Sequence, residues 1–261
     1  MHATKLFDLS GRVALITGGS RGLGLQMAHG FGAMGARLAL SARKENELAD
    51  AKAELTAKGY DVFTFASDLA KPETLEPMVD AVLKNFGRID ILMNNAGASW
   101  GAPAEKYPLD AWNKVIGINL TGTWLVTQLV GAKSMIPNKS GSIITVASVA
   151  GLRGQLGPMQ TIAYNTSKGA VVNFTRGLAC EWGHLGIRVN AIAPGFFPSK
   201  MTAGLLSMAG EENIAKGAPL MRIGDDEDLK GVTLLFASDA GKHITGQILP
   251  VDGGVSALIG G

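Results

Sequence analysis

An alternation of short β-branched runs with segments of helical period constrains the fold more than any other feature of the sequence. The runs predict seven strands, at residues 12–17, 37–41, 61–66, 90–94, 142–147, 187–192 and 247–251. Helices are predicted between them, near residues 23–35, 44–58, 73–86, 110–132, 161–183 and 226–238. Several strands are apolar throughout, which is typical of parallel strands covered on both faces. The pattern predicts a single-domain, doubly wound α/β fold over residues 1–261.

Composition excludes several classes of protein. A chain of 261 residues with 46% hydrophobic and 18% charged side chains is too apolar to be disordered. Its net charge of +2 gives no electrostatic case for a nucleic-acid partner or an anionic membrane surface. The single cysteine, Cys180, cannot form an internal disulfide, which favours a reducing cytoplasm, and we expect it to be buried. The four histidines lack metal-ligand spacing, so no metal is predicted.

One segment approaches the length of a membrane span. Residues 115–132 are uncharged, but they include Asn119, Gln128 and several threonines and glycines, which favours a helix buried in a soluble protein. Residues 1–11 lack the apolar stretch of a signal peptide. We therefore expect a soluble protein without a membrane span.

A glycine-rich turn, TGGSRGLG at residues 17–24, follows the first strand directly and precedes a helix. In a doubly wound sheet this turn is the favoured phosphate site, because glycines allow close approach and the helix N-terminus offers free N–H groups. The candidate cofactor-binding residues are Gly18, Ser20, Arg21, Gly22, Leu23 and Gly24. Tight packing alone is the other explanation for such a turn.

The end of the second strand indicates which dinucleotide is bound. A cofactor with a free ribose 2′-hydroxyl is usually held there by an acidic residue, but this chain has Ser41, followed by Arg43. An arginine can grip a 2′-phosphate through paired N–H donors, and Arg21 adds a second charge. The sequence therefore predicts NADP(H). Alternatively, Arg43 and Lys44 are only a solvated helix start.

Tyr164 and Lys168 are four residues apart in a helical segment, so their side chains share a face. At about 5 Å, an ammonium would lower the pKa of the phenol by roughly two units, towards the range useful for proton transfer. Ser148 follows the fifth strand, where its hydroxyl can bind a substrate oxygen, and Asn119 is an amide in an apolar segment. Taken singly, these residues are also compatible with a surface pair, a turn serine and a satisfied core amide.

Together these residues resemble the classical short-chain dehydrogenase/reductase family, through TGGSRGLG, NNAG at 94–97, Asn119, Ser148, YNTSK at 164–168 and PG at 194–195. The resemblance extends from residue 6 to 254. Within the family, the sequence most resembles 3-oxoacyl-acyl-carrier-protein reductases. It implies a seven-stranded Rossmann sheet, a homotetramer and a catalytic tetrad of Asn119, Ser148, Tyr164 and Lys168. The further cofactor contacts that it implies are Asp68, Leu69, Asn95, Ala96, Gly97, Tyr164, Lys168, Pro194, Gly195 and Thr202.

Residues 195–210 are mostly apolar, and the segment 195–218 is predicted to be a mobile cover over the substrate, or else a surface helix packed on the core. The candidate substrate residues are Trp100, Gln155, Leu156, Met159, Phe196, Phe197 and Met201. The acidic run at 225–228 is interpreted as a solvated first helical turn.

Three functions are compatible with these residues. The first is NADPH-dependent reduction of a ketone to a secondary alcohol, with a 3-oxoacyl thioester or another apolar carbonyl as substrate. The second is a sugar or polyol dehydrogenase, such as a gluconate dehydrogenase, and the third is a non-catalytic NADP-sensing protein. The complete Ser148, Tyr164 and Lys168 set favours an enzyme over a sensor.

Overall fold

A computed structural model, which describes residues 2–154 and 159–258, contains all seven predicted strands. They are β1 (Val13–Thr17), β2 (Arg37–Ala42), β3 (Val62–Ala66), β4 (Ile91–Asn94), β5 (Gly141–Val146), β6 (Ile187–Pro194) and β7 (Ile248–Val251). All six pairings between neighbouring strands are parallel, in the order β3-β2-β1-β4-β5-β6-β7. The predicted doubly wound sheet is confirmed.

Helices cover both faces of this sheet. They are α1 (Gly22–Ala33), α2 (Glu45–Ala57), α3 (Leu75–Phe86), α4 (Leu109–Asn138), α5 (Ile162–Trp182), α6 (Ala203–Ala209), α7 (Glu211–Ala215) and α8 (Lys230–Ala237). The sequence predicts six of these helices, and most of their ends lie within a few residues of the predicted ends. The short helices α6 and α7 lie inside the predicted cover segment.

The buried side chains of β1 show why the strands read as continuous apolar runs. Ala14 and Ile16 belong to the hydrophobic cluster on the face covered by α1, α2 and α8, whereas Val13 and Leu15 belong to the cluster under α3 and α4. Every residue of β1 is fully buried. A parallel strand with helices on both faces has no solvated side, so alternation is lost.

Strand register aligns the ends that carry the predicted site residues. Thr17, the last residue of β1, pairs with Ser41 in β2 and with Asn94 in β4, and Asn94 pairs with Thr145 in β5. The carboxyl ends of four central strands are therefore level. In this class of sheet, that edge is where ligands bind.

Helix α4 is continuous but irregular. It contains two wide turns of the π type, Gly117–Gly122 and Gly131–Met135. By length and composition α4 is apolar enough to cross a bilayer, yet half of its most apolar window is buried inside the protein.

Two expectations from the sequence are wrong. Cys180 is exposed rather than buried, because its position on α5 faces away from the sheet. The acidic run at 225–228 precedes α8, which begins at Lys230, instead of forming its first turn. Arg222 donates two hydrogen bonds to Asp228 and holds this carboxylate in the preceding turn.

Candidate active site

A cleft of about 550 Å³ opens at the carboxyl edge of the sheet. Its lining includes most of the residues that the sequence singles out. These are Gly18, Ser20, Arg21, Gly22, Leu23, Ser41, Arg43, Asp68, Leu69, Asn95, Ala96, Gly97, Trp100, Tyr164, Lys168 and Met201. The chain thus brings its glycine-rich turn, the end of its second strand and the helix that carries Tyr164 and Lys168 together around one cavity.

The glycine-rich turn is built so tightly that side chains are excluded. A Cβ on Gly24 would lie 2.2 Å from the carbonyl oxygen of Gly18, and one on Gly18 would lie 2.9 Å from Nδ2 of Asn95. Asn95 locks the turn by donating Nδ2 hydrogen bonds to the carbonyls of Thr17 and Gly18, both at 3.0 Å. Gly22 has a φ of +52° but open space beside it. The backbone there is accessible to a ligand, as a phosphate cradle requires.

The far end of the cleft has the polar groups that a phosphorylated ribose needs. The Ser41 hydroxyl is buried and has no hydrogen-bond partner among the described residues, although it lines the cleft. Arg21, Arg43 and Lys44 lie around the same end. A buried hydroxyl without a partner is costly, so it favours a polar ligand at this position. The residues present therefore fit a dinucleotide with a 2′-phosphate.

Asn119 lies in the first wide turn of α4 and is almost completely buried. Its Oδ1 accepts a hydrogen bond from the Ala98 amide at 2.7 Å, and its Nδ2 donates to the Ala98 carbonyl at 2.9 Å and to Ser167 Oγ at 2.9 Å. Asn119 is thus a satisfied core amide that ties α4 to α5. A Cβ built on Gly97 would lie 3.5 Å from Asn119 Oδ1 and 3.7 Å from Lys168 Nζ, so both groups border the same backbone.

Ser148, Tyr164 and Lys168 form the other part of the site. Ser148 lies two residues after β5, and its hydroxyl accepts a hydrogen bond from the Ala150 amide at 3.2 Å and lies near the Tyr164 phenol. Lys168 is buried, donates a hydrogen bond to the Val146 carbonyl at 2.6 Å, and has its Nζ 5.6 Å from the centre of the Tyr164 ring. Tyr164 and Lys168 line the cleft, whereas Ser148 is not among its lining residues.

Burial controls the protonation of these groups. It lowers the pKa of Lys168 to about 8 and raises the pKa of Tyr164, against the smaller opposing effect of the nearby Ser148 hydroxyl. The expected lowering of the Tyr164 pKa is therefore wrong for this structure, because desolvation of the phenol outweighs the opposing effect of the Ser148 hydroxyl. Tyr164 is protonated at neutral pH, and Lys168 is largely charged.

Several predicted site residues lie away from the cleft lining. Phe196 and Phe197 line a separate cavity of about 100 Å³, and Phe197 packs into the core against Gly224. Pro194 ends β6, the Gly195 amide bonds to the Val251 carbonyl, and the Thr202 hydroxyl donates to the Phe197 carbonyl at 2.7 Å. Met159 lies in the turn before α5, next to Gly101. Gln155 and Leu156 lie outside the described residues.

The structure adds cleft residues that sequence reasoning missed. Glu47, Lys114, Ser199 and Lys200 all line the cavity. Glu47 lies one helical turn after Arg43, so its nearness to the cofactor end had a local signal. Lys200 reaches the same end of the cleft from a segment more than 150 residues away along the chain. No local sequence signal indicates this approach.

Comparisons with known proteins agree with this geometry. The family model described as enoyl-(acyl carrier protein) reductase matches residues 18–256. A gluconate 5-dehydrogenase of Gluconobacter oxydans (strain 621H) is 37% identical over 262 residues, covering 99% of this chain and 100% of the relative. The rhamnolipids biosynthesis 3-oxoacyl-[acyl-carrier-protein] reductase of Pseudomonas aeruginosa is 38% identical, covering 95% and 97% of the two chains.

A solved structure shows the same fold throughout. The gluconate 5-dehydrogenase from Burkholderia cenocepacia J2315, in complex with NADP and tartrate, superposes with a TM-score of 0.92 at 33% identity. The match covers 99% of this chain and 100% of that one. With the matching family model, the seven-stranded sheet and the juxtaposed serine, tyrosine and lysine, the chain belongs to the classical short-chain dehydrogenase/reductase family.

Proposed function

We propose that the protein is an NADP(H)-dependent oxidoreductase that reduces a ketone to a secondary alcohol. The observation that carries this proposal is the position of the Tyr164 phenol at the cleft, with the buried Lys168 ammonium 5.6 Å from the centre of its ring and the Ser148 hydroxyl nearby. This group opens onto a cleft whose opposite end is cationic. A binding protein without turnover has no use for a buried proton donor at this position, which argues against the sensor.

Each residue of the site has a separate task. The nicotinamide cofactor, when bound, supplies the hydride. The Ser148 hydroxyl holds the substrate oxygen, and the Tyr164 hydroxyl donates a proton to it. The Lys168 ammonium stabilises the negative charge that develops on the phenolic oxygen. Asn119 holds the Ala98 backbone and α5 in place, and we assign it the binding of a water that returns the proton.

NADP(H) is favoured by the chain's own residues and by its relatives. Arg43, Arg21 and the Ser41 hydroxyl surround the cofactor end of the cleft. The related gluconate 5-dehydrogenase was solved with NADP. We therefore assign the turn residues 18–24, Ser41 and Arg43 to the adenosine phosphate and pyrophosphate, with Asp68 and Leu69 at the adenine.

Substitution of Arg43 by Ala should weaken the binding of NADPH about tenfold, because a charged hydrogen bond to the 2′-phosphate is lost. Binding of NADH should change less than twofold. Isothermal titration calorimetry measures both affinities, and Lys52→Ala, an exposed lysine on α2, is the matched control. Equal losses for NADPH and NADH would remove the reason for assigning a 2′-phosphate site.

The residues that line the cleft are compatible with two classes of substrate. Trp100 and Met201 give the cleft an apolar side that fits a 3-oxoacyl thioester or another apolar ketone. Phe196 and Phe197 do not contribute to it, and Lys114 and Lys200 add positive charge that suits a sugar acid. The second candidate function is therefore oxidation of gluconate or reduction of its keto form.

The experiment is NADPH consumption with a panel of 3-oxoacyl thioesters, apolar ketones and keto sugar acids. A 3-oxoacyl thioester turned over at least tenfold more efficiently than 5-ketogluconate would support the first class, and the reverse would support the second. Binding of NADPH without turnover of any member of the panel would favour the sensor.

The pH dependence of reduction should follow Lys168. Its ammonium is charged below a pKa of about 8 and neutral above it, so kcat/KM for the ketone should fall as the pH rises through 8. Tyr164, with its raised pKa, remains a proton donor over the same range. Steady-state rates from pH 6 to 9.5 test this, with Lys168→Arg as the comparison, because its guanidinium stays charged. A wild-type profile that is flat to pH 9.5 would contradict this role of Lys168.

We further propose that the protein is a cytoplasmic homotetramer without a membrane span. The apolar window of α4 is half buried inside the protein, which supports a core helix rather than a membrane span. The single cysteine of the chain cannot form an internal disulfide, which supports a cytoplasmic location. Trp124 on α4 and Ile162 on α5 are large apolar side chains exposed to more than 40%, which supports subunit contacts along these helices. Sedimentation equilibrium should give the mass of four chains, and a monomer mass would exclude the assembly.

A further inference from the structure

Glu47 is the common partner of three cations at the cofactor end of the cleft. Its Oε1 lies 2.8 Å from Arg21 Nη1, 3.3 Å from Lys44 Nζ and 3.5 Å from Lys200 Nζ. The Glu47 side chain is 19% exposed, whereas the Lys200 side chain is 71% exposed. One carboxylate cannot neutralise three cations, so this cluster retains a net positive charge beside the adjacent Arg43.

Lys200 differs from the other two cations in the part of the chain that carries it. Arg21 belongs to the glycine-rich turn and Lys44 precedes α2, whereas Lys200 follows β6, between Ser199 and Met201. Ser199 and Met201 line the same cleft. The contact between Lys200 and Glu47 therefore links the segment before α6 to α2, across the mouth of the cofactor cleft.

This segment is a compact turn. The Ser199 amide donates a hydrogen bond to Thr202 Oγ1 at 2.9 Å, and the Thr202 hydroxyl donates to the Phe197 carbonyl. The turn is thereby anchored to the buried Phe197, while the exposed Lys200 side chain has room to reorient. Its amine can exchange one anion for another a few ångströms away without disturbing the core.

We propose that Lys200 is a specificity-determining residue that binds the 2′-phosphate of NADP(H). Without the cofactor, the Glu47 carboxylate is a resident anion: it pairs with Lys200 and holds it over the cleft until the phosphate replaces the carboxylate. A phosphate carries close to two negative charges and competes well for an exposed ammonium. NADP(H) would then draw the segment before α6 onto the cleft, whereas NAD(H) would leave Lys200 on Glu47. This inference rests on the proposed NADP(H)-dependent function and extends it to the substrate side of the site.

Lys200→Met keeps the length of the side chain and removes its charge. We expect it to weaken NADPH binding about two- to fivefold, the range for a single exposed ion pair, and to leave NADH binding unchanged. Glu47→Gln should have the opposite effect and tighten NADPH binding by a similar factor, because the competing carboxylate is gone. Isothermal titration calorimetry of the purified protein measures both affinities without turnover.

A second readout follows the segment itself. In the wild type, NADPH should slow hydrogen–deuterium exchange at residues 199–204 more than NADH does, and in Lys200→Met the two cofactors should protect equally. Lys216→Met is the matched control, because this lysine lies in the same region, pairs with Glu212 and is outside the cleft lining. It should behave as the wild type.

The outcomes separate this inference from the proposed function. If the wild type binds neither dinucleotide, or shows no preference for NADPH, the proposed cofactor is wrong. If the wild type prefers NADPH and Lys200→Met keeps that preference unchanged, the role of Lys200 is wrong while the function stands. If Glu47→Gln weakens NADH binding, Glu47 binds the ribose hydroxyls directly, and its role as a resident anion is overturned.

Discussion

Replacing Tyr164 by Phe should reduce kcat about a thousandfold while the protein remains folded and binds its cofactor. The phenolic hydroxyl of Tyr164 lies near Ser148, and the raised pKa of Tyr164 keeps its proton available at neutral pH. A positioned general acid contributes about 10²–10⁴ to the rate, and the phenylalanine ring preserves the packing around α5. Single-turnover absorbance measurements of NADPH oxidation give the loss directly.

Tyr60→Phe is the control for this substitution. Tyr60 packs against His29 and Gly32, away from the cleft lining, so the loss of its hydroxyl should leave kcat unchanged. Equal melting temperatures and NADPH affinities for wild type and Tyr164→Phe would show that the rate effect is chemical. A Tyr164→Phe protein that turns over within twofold of the wild type would contradict the assignment of the proton donor.

The second large effect is expected at a residue that touches no reacting atom. A Cβ on Gly151 would lie 2.5 Å from the carbonyl carbon of Lys168 and 2.7 Å from the Gly169 nitrogen, both of them backbone atoms of α5. Because backbone cannot yield as a side chain can, Gly151→Ala must push the loop that carries Ser148 away from the helix that carries Tyr164. We expect a loss of about 1–3 kcal/mol in the free energy of unfolding and a 10- to 100-fold lower kcat.

Gly154→Ala tests whether the effect comes from this contact. No atom of the described residues lies within 4 Å of a Cβ at Gly154, so this substitution in the same loop should leave the melting temperature within about 1 °C of the wild type. Thermal unfolding and steady-state kinetics of both variants supply the comparison. A Gly151→Ala protein with unchanged stability and kcat would show that the loop adapts without moving Ser148.

Local signals explain what could be predicted from the sequence. The strands are continuous apolar runs because both faces are covered, and the candidate site residues follow strand ends that parallel pairing makes level. The spacing of Tyr164 and Lys168 similarly needs only the helical repeat. These features depend on a few neighbouring residues, so they can be read without knowing the tertiary structure.

The features that could not be predicted depend on distant contacts. Phe197 is a large apolar residue of the kind that lines substrate pockets, but Gly224 leaves space for its ring in the core. The acidic run before α8 is held by Arg222, and Cys180 occupies the outer face of its helix. The pKa of Tyr164 depends on how deeply the phenol is packed, which spacing along a helix does not report.

The position of Asn119 depends on the number of residues in the wide turn Gly117–Gly122. A turn of this kind holds one residue more than a regular α-helical turn, so restoring regularity requires a deletion rather than a substitution. Such a deletion would rotate the following part of α4 by about 100° relative to the preceding part. Thr127, which accepts a hydrogen bond from Asn94 in the sheet, would then face elsewhere. Point changes can therefore alter this helix gradually, whereas the loss of a single codon from this turn would break the hydrogen bond between Thr127 and Asn94 in one step.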